Sequence, residues 1–284
     1  MTATVTPSVG NGAPTGSVTF NDGANVIGTV PLSNGQAMLA VSSLPPGSHP
    51  ITAAYGGDAN FLGSTSPALS QTVNQASTTL ALTSSRNPST LNGSVTLTAN
   101  LSVVAPGAGT PTGSITFQDG ANLLATVPVS AGGQATFSSG SLAVGSHSLT
   151  ASYVGDANFR SSSGSLTQQV AYGICALYDQ TRSVQAGAAF PIKLYLCDVG
   201  GSDVSSANVV LHATQVINVS GFSGPVDSPG DANPDNDFRF DVTLGPSGGC
   251  IFNLSTAGLA SGTYSLQFTA GADPVPHSVN FGVK

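Results

Sequence analysis

The sequence predicts an all-β chain: tandem β-sandwich repeats followed by a β-sandwich domain of a different kind. Three observations predict it. The composition suits strands and turns, one unit recurs nearly verbatim, and the texture changes after residue 171.

Only 7% of the 284 residues are charged, against about 25% in an average soluble domain. All acidic residues are Asp, there is no Glu, and the lysines are Lys193 and Lys284. Glu and Lys solubilise exposed helix faces, so a chain nearly without them is poorly supplied for surface helices. Thr and Val suit pleated strands, and Gly, Asn and Ser suit turns. Disorder is disfavoured because 40% of residues are hydrophobic and the net charge is only −7. An acidic chain with 6 Lys and Arg residues cannot neutralise many phosphates, which argues against nucleic acid. No apolar run approaches the ~20 residues of a membrane span, so no membrane insertion is expected.

The repeat is carried by Pro14-Thr15-Gly16-Ser17-Val18-Thr19-Phe20 with Asp22-Gly23-Ala24-Asn25, which returns as Pro111-Thr112-Gly113-Ser114-Ile115-Thr116-Phe117 with Asp119-Gly120-Ala121-Asn122. Gly47-Ser48-His49 and Tyr55 through Gly57-Asp58-Ala59-Asn60-Phe61 return as Gly145-Ser146-His147 and Tyr153 through Gly155-Asp156-Ala157-Asn158-Phe159. The period of about 97 residues is the size of an immunoglobulin-like sandwich. In the second copy, strands are predicted over 78–83, 94–104, 114–118, 123–129, 134–137, 146–154 and 166–170. Asp119-Gly120 marks a hairpin. His147, Leu149, Ala151 and Tyr153 face one way and Ser146, Ser148, Thr150 and Ser152 the other, giving the apolar and polar faces of a sandwich strand.

The first copy is incomplete. Residues 1–5 align with the second half of the 94–104 strand, so its opening strand and half of the next are missing. A sheet edge is therefore expected to lie open unless something covers it. A truncated N-terminus also accounts for a start without a basic-then-apolar leader.

These motifs resemble the bacterial Ig-like repeats of long surface-exposed or secreted proteins, over roughly residues 1–171. The resemblance implies tandem immunoglobulin-like β-sandwiches, a stalk or adhesin-like scaffold at a secreted or cell-surface location, and neighbouring repeats of a longer chain as partners.

From Tyr172 onward the chain holds all three cysteines and nine of the aspartates. Strand-like runs cover 190–197, 208–213, 238–244, 250–254, 264–269 and 277–283. Pro191-Ile192-Lys193-Leu194, Phe238-Arg239-Phe240-Asp241, Phe252-Asn253-Leu254-Ser255-Thr256 and Gly262-Thr263-Tyr264 resemble a C-terminal module of bacterial Ig-repeat proteins marked by Pro-x-Lys-[Phe/Leu]. The expected domains are 1–74, a truncated Ig-like repeat; 75–171, a full one; and 172–284, the C-terminal β-sandwich.

Several groups invite chemistry. Asp231, Asn233, Asp235 and Asp237 place oxygens at alternate positions, as a calcium loop does. Asn236 stands where an EF-hand needs Gly and Pro234 stiffens the loop, so a solvated Asx-rich turn is preferred and metal is the alternative. Asp58 and Asp156 read as turn residues, and His49 and His147 as packing or turn residues. No His pair has metal-ligand spacing. Gly221-Phe222-Ser223-Gly224 is only a loop, and no Cys has a supporting His nearby in sequence. Lys193 is expected to pair with an Asp, with Asp241 the first choice. Three cysteines allow three pairings. Cys175–Cys197 is favoured because it staples the leading segment to the 190–197 strand, closing a loop worth ~3 kcal/mol; Cys250 is then a buried free thiol. No catalytic residue and no cofactor is expected. The expected function is a non-enzymatic stalk segment, with a glycan- or protein-binding C-terminal module as the alternative.

Overall fold

The computed structural model describes residues 1–10, 12–219, 223–224 and 233–284. Among them there is no α-helix, and so no helix long and apolar enough to cross a membrane. The chain divides into two compact units. One is Met1–Thr78 with Val103–Pro111 and Gly155–Ser161; the other is Thr79–Ser102 with Thr112–Val154 and Ser162–Lys284.

The first unit contains β1 (Thr2–Thr4), β2 (Ser17–Asp22), β3 (Asn25–Pro31), β4 (Gln36–Met38), β5 (Gly47–Tyr55), β6 (Ser64–Thr65) and β7 (Leu69–Val73). One sheet runs β3-β2-β5-β6, with β7 also on β5, and β1 pairs with β4. Val18, Phe20, Ala37 and Tyr55 form the buried core between them. The second-copy loops belong to this unit through the segment that follows β7. The Ala76 N–H donates to Asn158 O at 2.9 Å, and the Arg160 N–H donates to Ala76 O at 2.9 Å.

The second unit opens with β8 (Thr78–Ser84), β9 (Ser89–Thr90), β10 (Val95–Val103), β11 (Ser114–Asp119), β12 (Asn122–Pro128), β13 (Gln134–Ser139), β14 (Gly145–Tyr153) and β15 (Ser162–Ala171). Sheets β13-β10-β8 and β12-β11-β14-β15-β9 face each other. Ile115, Phe117, Leu149 and Ala151 are fully buried, as the period-2 alternation requires. The sequence missed β9, a two-residue strand parallel to the end of β15. The register bulge between Phe117 and Gln118 recurs between Phe20 and Asn21, so the copies share irregular features as well as regular ones.

The rest of the unit holds β16 (Gly173–Ala176), β17 (Ser183–Val184), β18 (Ala189–Cys197), β19 (Leu211–Asn218), β20 (Ser223–Gly224), β21 (Arg239–Asp241), β22 (Gly249–Ser255), β23 (Gly262–Ala270) and β24 (His277–Val283). Sheets β16-β18-β22-β21 and β17-β24-β23-β19-β20 enclose Ile192, Leu194, Phe252, Leu266, Phe268 and Phe281, all fully buried. Two strands differ from expectation for local reasons. A bulge between Ala213 and Gln215 breaks the alternation, so β19 continues to Asn218 where the pattern appeared to stop. The 238–244 run ends at Asp241, whose carboxylate accepts from the Thr243 N–H (2.9 Å) and hydroxyl (2.6 Å) and turns the chain.

Leu80 of β8 is buried and Leu123 is 63% exposed. Leu80→Ala is expected to cost about 2–5 kcal/mol and Leu123→Ala to stay within about 0.5 kcal/mol, read by urea unfolding of the chain.

Candidate functional site

The polar groups that recur in both copies are bonded into the fold. His49 sets Nδ1 2.7 Å from Asp22 Oδ2 and Nε2 2.8 Å from Pro45 O; His147 repeats this with Asp119 (2.7 Å) and Ala143 O (2.8 Å). A carboxylate and a carbonyl are both acceptors, so both ring nitrogens must carry hydrogen and the imidazolium is the form that fits. The Asp22 bond, then the Pro45 carbonyl, raise His49 above its ordinary value. At His147 burial opposes the charge, and the Ala143 carbonyl and Asp119 outweigh it. The sequence placed these histidines on strand faces but did not pair them. The signal was available: each Asp sits in the hairpin turn and each His at the start of the β5 or β14 strand.

Asp58 ties a second corner. It accepts from the Thr15 N–H (2.7 Å) and hydroxyl (2.8 Å) and from the Asn60 and Phe61 N–H groups (2.8 Å each). The Thr15 N–H first, then the Asn60 N–H, hold its carboxyl well below the usual range. Asp156 accepts from the Asn158 and Phe159 N–H groups in the same way. Gly57 precedes the corner at φ +84°, and a Cβ there would stand 2.8 Å from Phe61 O, so only glycine fits.

A third group of contacts joins β15 to the C-terminal sheets. Tyr172 alone separates β15 from β16. Its N–H donates to Asp273 Oδ2 (2.7 Å), which also meets His277 Nε2 (2.7 Å). Alongside, the Val199 N–H donates to Leu91 O (3.0 Å) and Asn92 Nδ2 donates to Asp198 Oδ2 (3.1 Å). The Asn92 bond, followed by the Ser202 N–H, lowers the Asp198 pKa. Cys175 and Cys197 form a disulfide within the first C-terminal sheet, and Gly173 lies so close to Cys197 that a Cβ would stand 2.9 Å from its carbonyl oxygen.

The remaining candidates are dispersed. Asp231 of the expected calcium loop, and Gly221 and Phe222, lie outside the described residues. Asn233 is buried, with its Nδ2 donating to Asn253 O and its Oδ1 accepting from the Asn253 N–H (2.9 Å). Asp235 is exposed, and Asp237 meets His212 Nδ1 at 2.8 Å. Among the described residues no group of three or more His, Cys, Asp or Glu side chains could hold a metal ion. The Asp241 ion pair is with Arg239, at 3.8 Å, rather than the expected Lys193. The free thiol of Cys250 is buried; burial, then the charge of Asp203, push it up to about 11.

The sequence model of the bacterial Ig-like domain (group 3) matches residues 1–74 and 82–171, more than half of the chain. The chain belongs to this family. No curated protein matches it. Among solved structures, it is similar to the three N-terminal domains of the highly immunogenic outer capsid protein of bacteriophage RB49 (11% identity, 100% of this chain and 93% of that one, TM-score 0.35). It is similar also to the adhesin InvE of Yersinia pseudotuberculosis (19% identity, 72% and 58%, TM-score 0.30) and to fibronectin(III)-like modules of Clostridium thermocellum CbhA (14% identity, 72% and 94%, TM-score 0.24). At these TM-scores the structural likenesses carry no argument, and the family assignment rests on the sequence match.

The paired histidines give the Ig-like repeats a defined pH response. His49 and His147 bind protons more tightly folded than unfolded, so their stabilisation is full below the ordinary imidazole value of 6.5 and is lost as pH rises through the raised folded value. Melting temperature scanned from about pH 5 to pH 9 should fall across that window, and a His49→Gln, His147→Gln double variant should flatten the fall. At the junction, Asp273→Ala leaves the Tyr172 N–H without its acceptor and should cost about 1–3 kcal/mol.

Proposed function

We propose that the chain is a non-enzymatic structural segment of a secreted or cell-surface bacterial protein. Its Ig-like repeats would act as a spacer within a longer array, and residues 172–284 as a terminal β-module of the Pro-x-Lys-[Phe/Leu] kind. The observation that carries this is the junction at Tyr172. A one-residue connection, flanked by the Asp273, Asp198 and Leu91 bonds, suits a unit that transmits position or force and leaves little freedom for a hinge. The recurring polar groups support the same reading. Asp22, Asp58, Asp119 and Asp156, with His49 and His147, are occupied by backbone and by one another. A division at 1–74, 75–171 and 172–284 accompanies the proposal.

Pulling the full chain from its ends tests it. Three unfolding steps are expected. The step from residues 75–171 should release about 33 nm at ~3.4 Å per residue. The C-terminal step should lengthen by about 8 nm when reductant frees the loop between Cys175 and Cys197. Fewer steps would overturn the three-module division. Saturable binding of the full chain to a glycan array or to bacterial cells would replace the spacer with an adhesive module.

A further inference from the structure

Asparagine followed by glycine is a chemically labile step, because glycine has no Cβ to shield its N–H from the carboxamide beside it. The sequence holds three such steps: Asn11-Gly12, Asn34-Gly35 and Asn92-Gly93. Asn11 lies outside the described residues. The other two begin alike, each with an exposed asparagine in the left-handed region, Asn34 at φ +50° and Asn92 at φ +61°. Exposure and backbone conformation therefore do not separate them. Their hydrogen bonds do.

Asn92 is held on both sides of the step. Its Nδ2 donates to Asp198 Oδ2 at 3.1 Å, and the Gly93 N–H donates to Thr90 O at 2.8 Å. The turn is also tight, since a Cβ on Gly93 would stand 2.7 Å from the Thr90 carbonyl oxygen. Asn34 has neither restraint. With Gly35, at φ +73°, it forms the two-residue turn that leads into β4, and both positive φ values suit a type I′ hairpin. The turn is closed by its flanks: the Ser33 N–H donates to Gln36 O (2.8 Å) and the Gln36 N–H to Ser33 O (3.0 Å). The Gly35 carbonyl accepts from the Val5 N–H at 2.8 Å. Among the described residues no hydrogen bond occupies the Asn34 carboxamide or the Gly35 N–H. The matching turn of the second copy, Ser130-Ala131-Gly132-Gly133-Gln134, has no asparagine.

We propose that Asn34-Gly35 is a self-modifying site, where the folded chain deamidates, while the same dipeptide at Asn92 is protected by the contacts of the junction. The Gly35 nitrogen loses its proton to water and bonds to Asn34 Cγ. The Cγ–Nδ2 bond breaks, and ammonia leaves. Water then opens the five-membered imide. Cleavage of the bond from the Gly35 nitrogen to Cγ gives aspartate, and cleavage of its bond to the Asn34 backbone carbonyl carbon gives isoaspartate. The sum is one water consumed and one ammonia released. Isoaspartate routes the backbone through Cγ and adds an atom to a turn that has room for two residues. The Ser33–Gln36 pair and the Gly35–Val5 bond then lose their register, so modification loosens the start of β4 and the end of β1. The site stands on this geometry whether or not the chain is a spacer.

The test ages the full chain in mildly alkaline buffer at physiological temperature, then maps it by tandem mass spectrometry. Isoaspartate is read by labelling with protein isoaspartyl methyltransferase. Asn34 should convert roughly tenfold faster than Asn92 or more, because Asn92 must first give up two hydrogen bonds, one of them to a carboxylate. In urea the two rates should converge. Amide exchange at Val5 and Gln36 should quicken in the aged chain. An Asn34→Gly chain aged alongside should keep the slow exchange, since Gly-Gly also suits the turn. A fresh Asn34→Asp chain should keep it too, which separates the added backbone atom from the added charge. Equal rates at Asn34 and Asn92 in the folded chain would overturn the proposal, as would a difference that persists in urea. So would slow exchange at Val5 and Gln36 in chains that carry isoaspartate at position 34.

Discussion

Amides in a loop cannot be left without acceptors where the chain folds back onto a sheet; backbone carbonyls take most of them here, and Asp carboxylates hold the corners where no carbonyl reaches. Asp58 caps the Thr15, Asn60 and Phe61 N–H groups at the corner beside β5. Asp198 takes the Gly200 and Ser202 N–H groups, Asp203 those of Ser205 and Ser247, and Asp273 those of Tyr172 and Val275. Asp is suited to this because its short side chain reaches donors two or three residues on, where Glu would overshoot. The acidic residues are parts of the loops, and few are left to solvate the surface.

The concentration of Asp toward the C-terminus changes meaning in this light. As a sequence feature it motivates a binding module, because clustered carboxylates attract cations and polar ligands. In the fold, Asp179, Asp198, Asp203, Asp241 and Asp273 are dispersed over separate turns, each accepting from nearby amides. Asp179 turns the chain at Thr181 and Asp241 at Thr243, while Asp237 is held by His212. A carboxylate accepting two or three N–H bonds is held in place by its own turn, with fewer lone pairs left to face outward.

Periodicity and repetition were the legible part of the sequence. Alternation in β14 and β18 marks the core face residue by residue, and the repeated Asp-Gly turn marks the hairpin in both copies. What stayed hidden depends on contacts across the fold. The pairing of Asp22 with His49, 27 residues apart, is not visible until the hairpin turn is set beside the start of β5. Nor does the alternation reveal the bulge at Ala213, where the strand continues while its pattern slips. The open edge of the first copy was legible from the incomplete repeat.

An exposed edge invites unwanted pairing, and the short strands of the first unit meet that hazard in two ways. On one side, the strand that is continuous in β15 is broken between β6 and β7 by Ser66 and Pro67. Proline has no amide to offer, and β6 is only two residues long, so this side is a poor template for another strand. On the other side β1 carries no proline and no charged side chain but is only three residues long, so its shortness limits it as a template.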